Sequence, residues 1–462
     1  MAIPRHVDLL RTLVTLRYAH RTLQQKPRCY GRRVVLVDGV RTPFAQMGTD
    51  YQDLTPYDLA RGILQLVQKK TNLRKELVDY IVIGSVLQEI KTSNLAKEAA
   101  LGAGFPDIIP AHTLAHACLS SNQAVTTGMN LISSGVCDTV LACGVELMSD
   151  IPIRHSRKMR QIMLEFNRAK TWRRRVALLS KMTDPSVFAP ELPDVAEFST
   201  GEEYGHSADR LAAAFSISRE EQDDYAANSH RRAQAAVDKG YLVDVMPFGI
   251  PGSDVTITND NGIRHTSFEA MTNLEPYFIK PHGTVTAANS SFLADGAAGC
   301  LLMSEESAKQ QGFVPKAYIG KYSYVAQDPK DQMLLGEAHA IPRVLSSSGM
   351  TLKDIDLFEL QETFAGQVLA TIKSLDSTWF SNNCLGLQEK VGLLPVEKLN
   401  SWGGAIALGH PFSASGIRIL VTLANRLLQE DCSLGLHANC ASGGQGHAII
   451  LERHPDHPGN AS

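Results

Sequence analysis

Short β-branched runs alternate with segments of helical period along residues 34–149. Val34 to Val37 reads as a buried strand ending at Asp38-Gly39, with the loop Arg41-Thr42-Pro43-Phe44 after it. From Asp58 onward, Leu59, Ile63, Leu66 and Val67 share one face of a predicted helix. Leu73 to Ser85 gives a helical turn and then the strand Tyr80-Ile81-Val82-Ile83-Gly84. Val125, Met129, Leu131 and Ile132 make a helix after Cys118, and Thr139 to Gly144 makes the next strand. Strand and helix in alternation predict an α/β fold with a covered sheet.

The same order returns near the C-terminus. Met350 to Glu359 parallels Asn72 to Ile81, each reading helix end, acid, strand. Each is followed by a loop that carries a reactive residue at a helix start, Cys118 in one case and His410 in the other. We read two duplicated α/β halves whose reactive loops meet at one face. The first half covers 34–149 and 279–310, the second 311–453, and 454–462 is a tail. Residues 150–278 form an inserted loop domain. Within it, Arg154 to Lys181 carries ten basic residues against Glu165 alone. Met159, Ile162, Met163, Phe166, Trp172, Val176 and Leu179 recur there at helical spacing, a basic amphipathic surface suited to anionic lipid. A solvated helix, or a lid over an acyl tail, fits the same pattern. Ser218 with Glu221 is a capping box that opens a helix through Ala236, stopped by Gly240. The chain then returns through the polar loop Gly283 to Ser291 and the small residues Asp295-Gly296-Ala297-Ala298.

Composition narrows the class. A chain of 462 residues exceeds one ordinary core, and 44% hydrophobic with 20% charged residues excludes disorder. A net charge of -3 argues against a general nucleic-acid binder. No apolar run reaches membrane-spanning length, so membrane contact would be peripheral. The eight cysteines include no C-x-x-C pair and read as reduced thiols, and no cluster has metal-ligand spacing. Residues 1–33 set Arg5, Arg11, Arg17, Arg21, Lys26, Arg28, Arg32 and Arg33 against Asp8, with Leu9, Leu10, Leu13, Val14 and Leu16 between. This is the chemistry of a mitochondrial transit peptide rather than a secretory signal.

The candidate chemistry begins at Cys118. At a helix start, backbone N–H groups and the macrodipole would favour its thiolate. Alone it would read as a buried structural cysteine. Gly409-His410-Pro411 adds a base, and Asn439-Cys440-Ala441-Ser442-Gly443-Gly444 adds a second thiol beside a glycine turn. Together they suggest one assembled site.

Ala117-Cys118-Leu119-Ser120, Gly403 to Pro411, and Cys440 to Gly446, with Arg41 to Phe44 and the Asn289 loop, resemble the thiolase family over residues 34–453. Val145 to Arg157 and the basic insertion are most similar to the long-chain branch that works in the mitochondrial trifunctional complex. The resemblance implies a layered α-β-α-β-α fold of two duplicated halves, and a 3-ketoacyl-CoA thiolase of fatty-acid β-oxidation. It implies that Cys118, deprotonated by His410, takes up the acyl group, and that Cys440 donates and accepts protons. Backbone N–H groups of Cys118 and Ser442 would form one oxyanion hole. His410 with a polar side chain, acting directly or through water, would form the other. The family's Asn-Glu-Ala-Phe motif reads Gln361-Glu362-Thr363-Phe364 here, where the trifunctional branch carries His first, so Gln361 is the candidate donor. Ser291 and Asn289 would bind substrate. Coenzyme A would be a substrate, with no bound cofactor. Expected partners are a second copy of the chain, a hydratase/dehydrogenase α subunit and the matrix face of the inner membrane. Two alternatives stay open, a condensing enzyme and a weakly active or non-catalytic paralogue that serves as a scaffold for that subunit.

Overall fold

The computed structural model describes residues 31–194, 196–264 and 268–459. The expected transit peptide lies outside the described residues except for 31–33. In chain order the elements are β1 (Val34–Arg41), α1 (Pro56–Thr71), β2 (Tyr80–Gly84), α2 (Leu95–Gly102), β3 (Ala111–Leu114), α3 (Ser120–Ser133) and β4 (Thr139–Glu146). The insertion contributes α4 (Arg157–Arg168), α5 (Trp172–Leu179), α6 (Tyr204–Ala214) and α7 (Arg219–Asp238). Then follow β5 (Ala294–Ser304), β6 (Ala317–Ala326), α8 (Gly336–Ser348), β7 (Leu357–Leu360), α9 (Ala365–Leu375), α10 (Phe412–Gln429), β8 (Leu434–Ala441) and β9 (Gln445–Arg453).

The strands order as β7-β8-β9-β6-β1-β5-β4-β2-β3. Each half repeats one pairing pattern. In the first, β2 runs parallel to β4, while β4 to β5 and β5 to β1 are antiparallel. In the second, β7 runs parallel to β8, while β8 to β9 and β9 to β6 are antiparallel. The two half-sheets pair where β1 meets β6, at Val35–Tyr318 and Leu36–Ala317. The acids of the sequence repeat also do one job twice. Asp79 accepts the N–H groups of Asp138 and Thr139 at 2.7 and 2.9 Å. Asp356 accepts those of Ser433 and Leu434, both at 2.9 Å.

Burial arranges these parts in five layers. Leu59, Ile63 and Leu64 of α1 close one face of the first half against Leu141 and Leu301. Val125 and Ile132 of α3 meet Ile417, Leu420 and Leu423 of α10 between the two half-sheets, against Val140, Leu302 and Ile449. Ile341 and Val344 of α8 and Val368 of α9 cover the far face against Leu436 and Ile450. The central α3 and α10 both start at the same edge of the sheets, which brings the loops before them together. Glu146, at the end of β4, fastens this edge by accepting Leu87 N at 2.9 Å and Ser413 Oγ at 2.7 Å.

The small packed residues at 295–298 belong to β5, an eleven-residue strand buried throughout between β1 and β4. One expectation is corrected. The basic segment is not one amphipathic run but two helices, α4 and α5, broken at 169–171. Met159 and Ile162 are buried with Phe166 in a small core of their own, while Met163, Leu164, Trp172, Val176 and Leu179 face outward. Lys158, Arg160 and Lys181 pair with Asp184, Glu191 and Glu165. The capping box at Ser218 opens α7, with Ser218 N to Glu221 Oε2 at 2.6 Å and Glu221 N to Ser218 Oγ at 3.0 Å. No helix among the described residues is long and apolar enough to cross a membrane.

Candidate active site

Cys118 sits in a tight turn, one residue short of the first turn of α3. Ala117 before it takes φ 45°, a left-handed conformation unusual for a residue with a Cβ. Ser120 holds the turn, donating from Oγ to Ala117 O at 2.6 Å and accepting from His116 N at 2.8 Å. The backbone N–H groups of Cys118 and Ser442 act to lower the Cys118 thiol. Burial nevertheless pushes this thiol up to about 12, with the Glu146 charge adding to it. The expectation of a thiolate stabilised by a helix start is therefore corrected. The helix begins two residues on, desolvation outweighs the N–H groups, and the resting group is a thiol.

Cys440 is buried at the end of β8, just before the turn in which Gly443 and Gly444 take φ 75° and 65°. Burial pushes its thiol up, and Glu337 and Cys118 add to the effect. The Cys118 sulfur thus adds to what opposes ionisation of Cys440. Thr363 Oγ1 stands 4.0 Å from the Cys440 sulfur.

His410 follows Gly409, whose φ of 94° a side chain would rarely allow. The loop leading to it is held by Glu362, a buried carboxylate that accepts Ser229 Oγ at 2.7 Å, Asn400 Nδ2 at 2.8 Å, Tyr225 Oη at 3.0 Å and Ile406 N at 3.3 Å. On the ring, Nδ1 lies 2.7 Å from Ser415 Oγ and 3.0 Å from Gln361 Nε2. Nε2 has no partner among the described residues. With an amide N–H directed at Nδ1, that nitrogen accepts and the ring proton rests on Nε2. Burial and the charge of Arg418 lower the imidazole to about 3, so it is neutral at physiological pH. Gln361 is completely buried. Its amide nitrogen addresses the imidazole, beside the ring that the resemblance assigns to the second oxyanion hole.

The remaining candidates divide. Ser291 is tied to the same strand end, with both N and Oγ donating to Thr363 O at 3.0 Å. Asn289 is wholly buried, donating to Asp223 Oδ1 at 2.8 Å and Thr284 O at 3.0 Å and accepting from Thr286 N at 2.8 Å. Its amide braces the loop and offers nothing to a ligand, which corrects its expected substrate contact. Sequence reasoning missed Glu337, which accepts Gln361 N at 3.0 Å and Gln367 Nε2 at 2.7 Å. It also missed Glu146, Glu197 and Tyr204 around Cys118. Their signal is weak in a sequence, because a buried acid is recognised by its partners and these partners are distant in the chain. No group of three or more metal-ligating side chains stands together among the described residues.

The arrangement places the Cys118 and Cys440 thiols and the neutral His410 imidazole at the edge where two duplicated halves meet. Comparison with known proteins agrees with this architecture. Residues 34–306 match the family model "Thiolase, N-terminal domain" and residues 313–453 match "Thiolase, C-terminal domain". The mitochondrial trifunctional enzyme subunit beta of Macaca fascicularis is 59% identical over 92% of this chain and 89% of its own length. The human protein of that name is 58% identical with the same coverage. The crystal structure of human mitochondrial 3-ketoacyl-CoA thiolase in complex with CoA superimposes with a TM-score of 0.77 at 32% identity, covering 92% of this chain and 98% of that one. On sequence and fold alike, this chain belongs to the thiolase family.

Proposed function

We propose that the chain is an acetyl-CoA C-acyltransferase that cleaves long-chain 3-ketoacyl-CoA with CoA. The observation that carries this reading is the meeting of the Cys118 and Cys440 turns, where Asn439 Nδ2 donates to Cys118 O at 3.5 Å and His116 Nε2 lies 2.7 Å from Gln445 Oε1. His410, shifted to the tautomer with a free Nε2 lone pair, takes the Cys118 proton. The sulfur attacks the 3-keto carbon, and the bond between C2 and C3 breaks. The acyl group stays on Cys118 as a thioester, and the electron pair leaves on acetyl-CoA as an enolate. Cys440 protonates that enolate. It then accepts the proton of CoA-SH, whose thiolate displaces the shortened acyl group from Cys118. Charge on the thioester oxygen is met by the N–H groups of Cys118 and Ser442, and removing one such donor costs roughly 3 to 4 kcal/mol in catalysis. Gln361 and Ser415 support this cycle by holding the imidazole, and Ser291 supports substrate near Thr363.

The names of the curated relatives support a mitochondrial setting and an α-subunit partner, and the CoA complex of the human thiolase supports CoA as a substrate. The half-exposed edge strand β3 supports a homodimer, since a second copy would cover it. The basic, outwardly apolar α4–α5 surface supports peripheral contact with anionic lipid of the inner membrane.

Incubation with 3-ketohexadecanoyl-CoA and CoA is expected to release acetyl-CoA, and mass spectrometry to find the acyl group on the Cys118 peptide. Cys118→Ala is expected to abolish both. A protein that folds, binds its partner and releases no acetyl-CoA would be a scaffold instead.

A further inference from the structure

A hairpin of the inserted segment reaches the catalytic turn. Residues 196–203 close on themselves, with Glu197 N donating to Glu202 O at 2.9 Å, Gly201 N to Glu197 O at 2.7 Å, and Ala196 bridged to Glu203. The hairpin leads into α6, whose Ala208, Leu211 and Ala212 are buried with Phe364 and Cys440. At the two ends of this hairpin stand Glu197 and Tyr204. Glu197 Oε1 accepts Gly443 N at 2.7 Å and the Tyr204 phenol at 3.2 Å. The contacts form a bridge from Tyr204 Oη through Glu197 Oε1 to Gly443 N, the peptide that follows Ser442. That peptide is therefore held against the hairpin. The Ser442 N–H on its other side is the donor proposed above for the oxyanion at Cys118.

We propose that Glu197 and Tyr204 are positioning residues for thiolysis, which aim the Ser442 N–H at Cys118 by locking the Ser442-Gly443 turn. The proposal rests on the reading of Cys118 as the nucleophile. Gly443 and Gly444 both have positive φ, in a region where glycine moves freely, so the turn has no stiffness of its own. An oxyanion donor works only when fixed in advance. The Glu197 charge opposes ionisation of Cys118. Its benefit therefore lies in accepting the two hydrogen bonds, and an uncharged acceptor would serve.

That distinction supplies the test. Full-length wild type, Glu197→Gln, Glu197→Ala and Tyr204→Phe are compared by steady-state kinetics, with rates normalised to the fraction of Cys118 that becomes acylated. Glu197→Ala is expected to lower kcat about tenfold or more with KM for CoA little changed, and Tyr204→Phe, which keeps the ring in place, to lower it less. Glu197→Gln keeps the acceptor and is expected to retain kcat within about threefold of wild type. A merely structural role would change the acylatable fraction and leave the normalised kcat alone. Wild-type kcat in Glu197→Ala and Tyr204→Phe, or a Gln variant as slow as the Ala variant, overturns the proposal while the reading of Cys118 stands. A wild-type enzyme that turns over without acyl-Cys118 overturns that reading and the proposal with it.

Discussion

Gln361 has a property that its position makes useful. Its side chain carries a donor and an acceptor on one short planar group. Turned one way it donates to His410 Nδ1 at 3.0 Å, and turned the other its oxygen, which has no hydrogen-bond partner among the described residues, would accept from a protonated Nδ1. The imidazole needs both states during a cycle in which Nε2 first takes a proton and then holds one. Gln361→Leu fills the same space without either group and is expected to lower kcat by about a hundredfold, measured as acetyl-CoA release. Gln361→His presents one ring nitrogen in the same place and is expected to stay within about threefold of wild type. The motifs around Cys118, His410 and Cys440 are legible in the sequence because glycine turns and reactive side chains are distinctive. What the sequence hides is direction. Asn289 lies in a loop with the right composition, yet its amide turns inward to Asp223, a partner 66 residues away. The ionisation of Cys118 is hidden in the same way, since it depends on Glu146 and on burial rather than on its neighbours in the chain.

Among the elements, the duplicated acids give the plainest test. Asp79 and Asp356 each gather two backbone N–H groups at the start of a neighbouring strand, one in each half. Asp79→Ala and Asp356→Ala are each expected to destabilise the protein by about 1 kcal/mol, and the double variant by the sum, read from denaturant midpoints. The equivalence was legible because helix end, acid and strand recur in order. β2 was legible too, its residues being β-branched or aromatic between turn signals. β5 was not. Gly, Ala and Cys dominate its first seven positions, and burial on both faces removes the alternation that marks a strand. The break between α4 and α5 was hidden for another reason. Ala169-Lys170-Thr171 contains neither glycine nor proline, and the chain leaves the helix there because Ala169 turns inward to the small core of the insertion.

For the whole molecule, the insertion presents one face of mixed character. Trp172 is 71% exposed and Val176 and Leu164 each 56%, among the arginines and lysines of α4 and α5. Vesicles containing an anionic lipid are expected to sediment the protein, with binding weakened by salt, while neutral vesicles leave it in solution. Replacing Trp172 and Val176 together by Ser is expected to weaken that binding about tenfold or more without changing turnover of a soluble short-chain substrate. The position of β5 has a consequence for folding. It lies between β1 and β4, yet it follows β4 by roughly 150 residues and β1 by about 250 along the chain. Until residues 294–304 insert, β1 and β4 hold bare edges, open to pairing with any other chain. The first half therefore closes late, only once the chain beyond the whole insertion is free to fold.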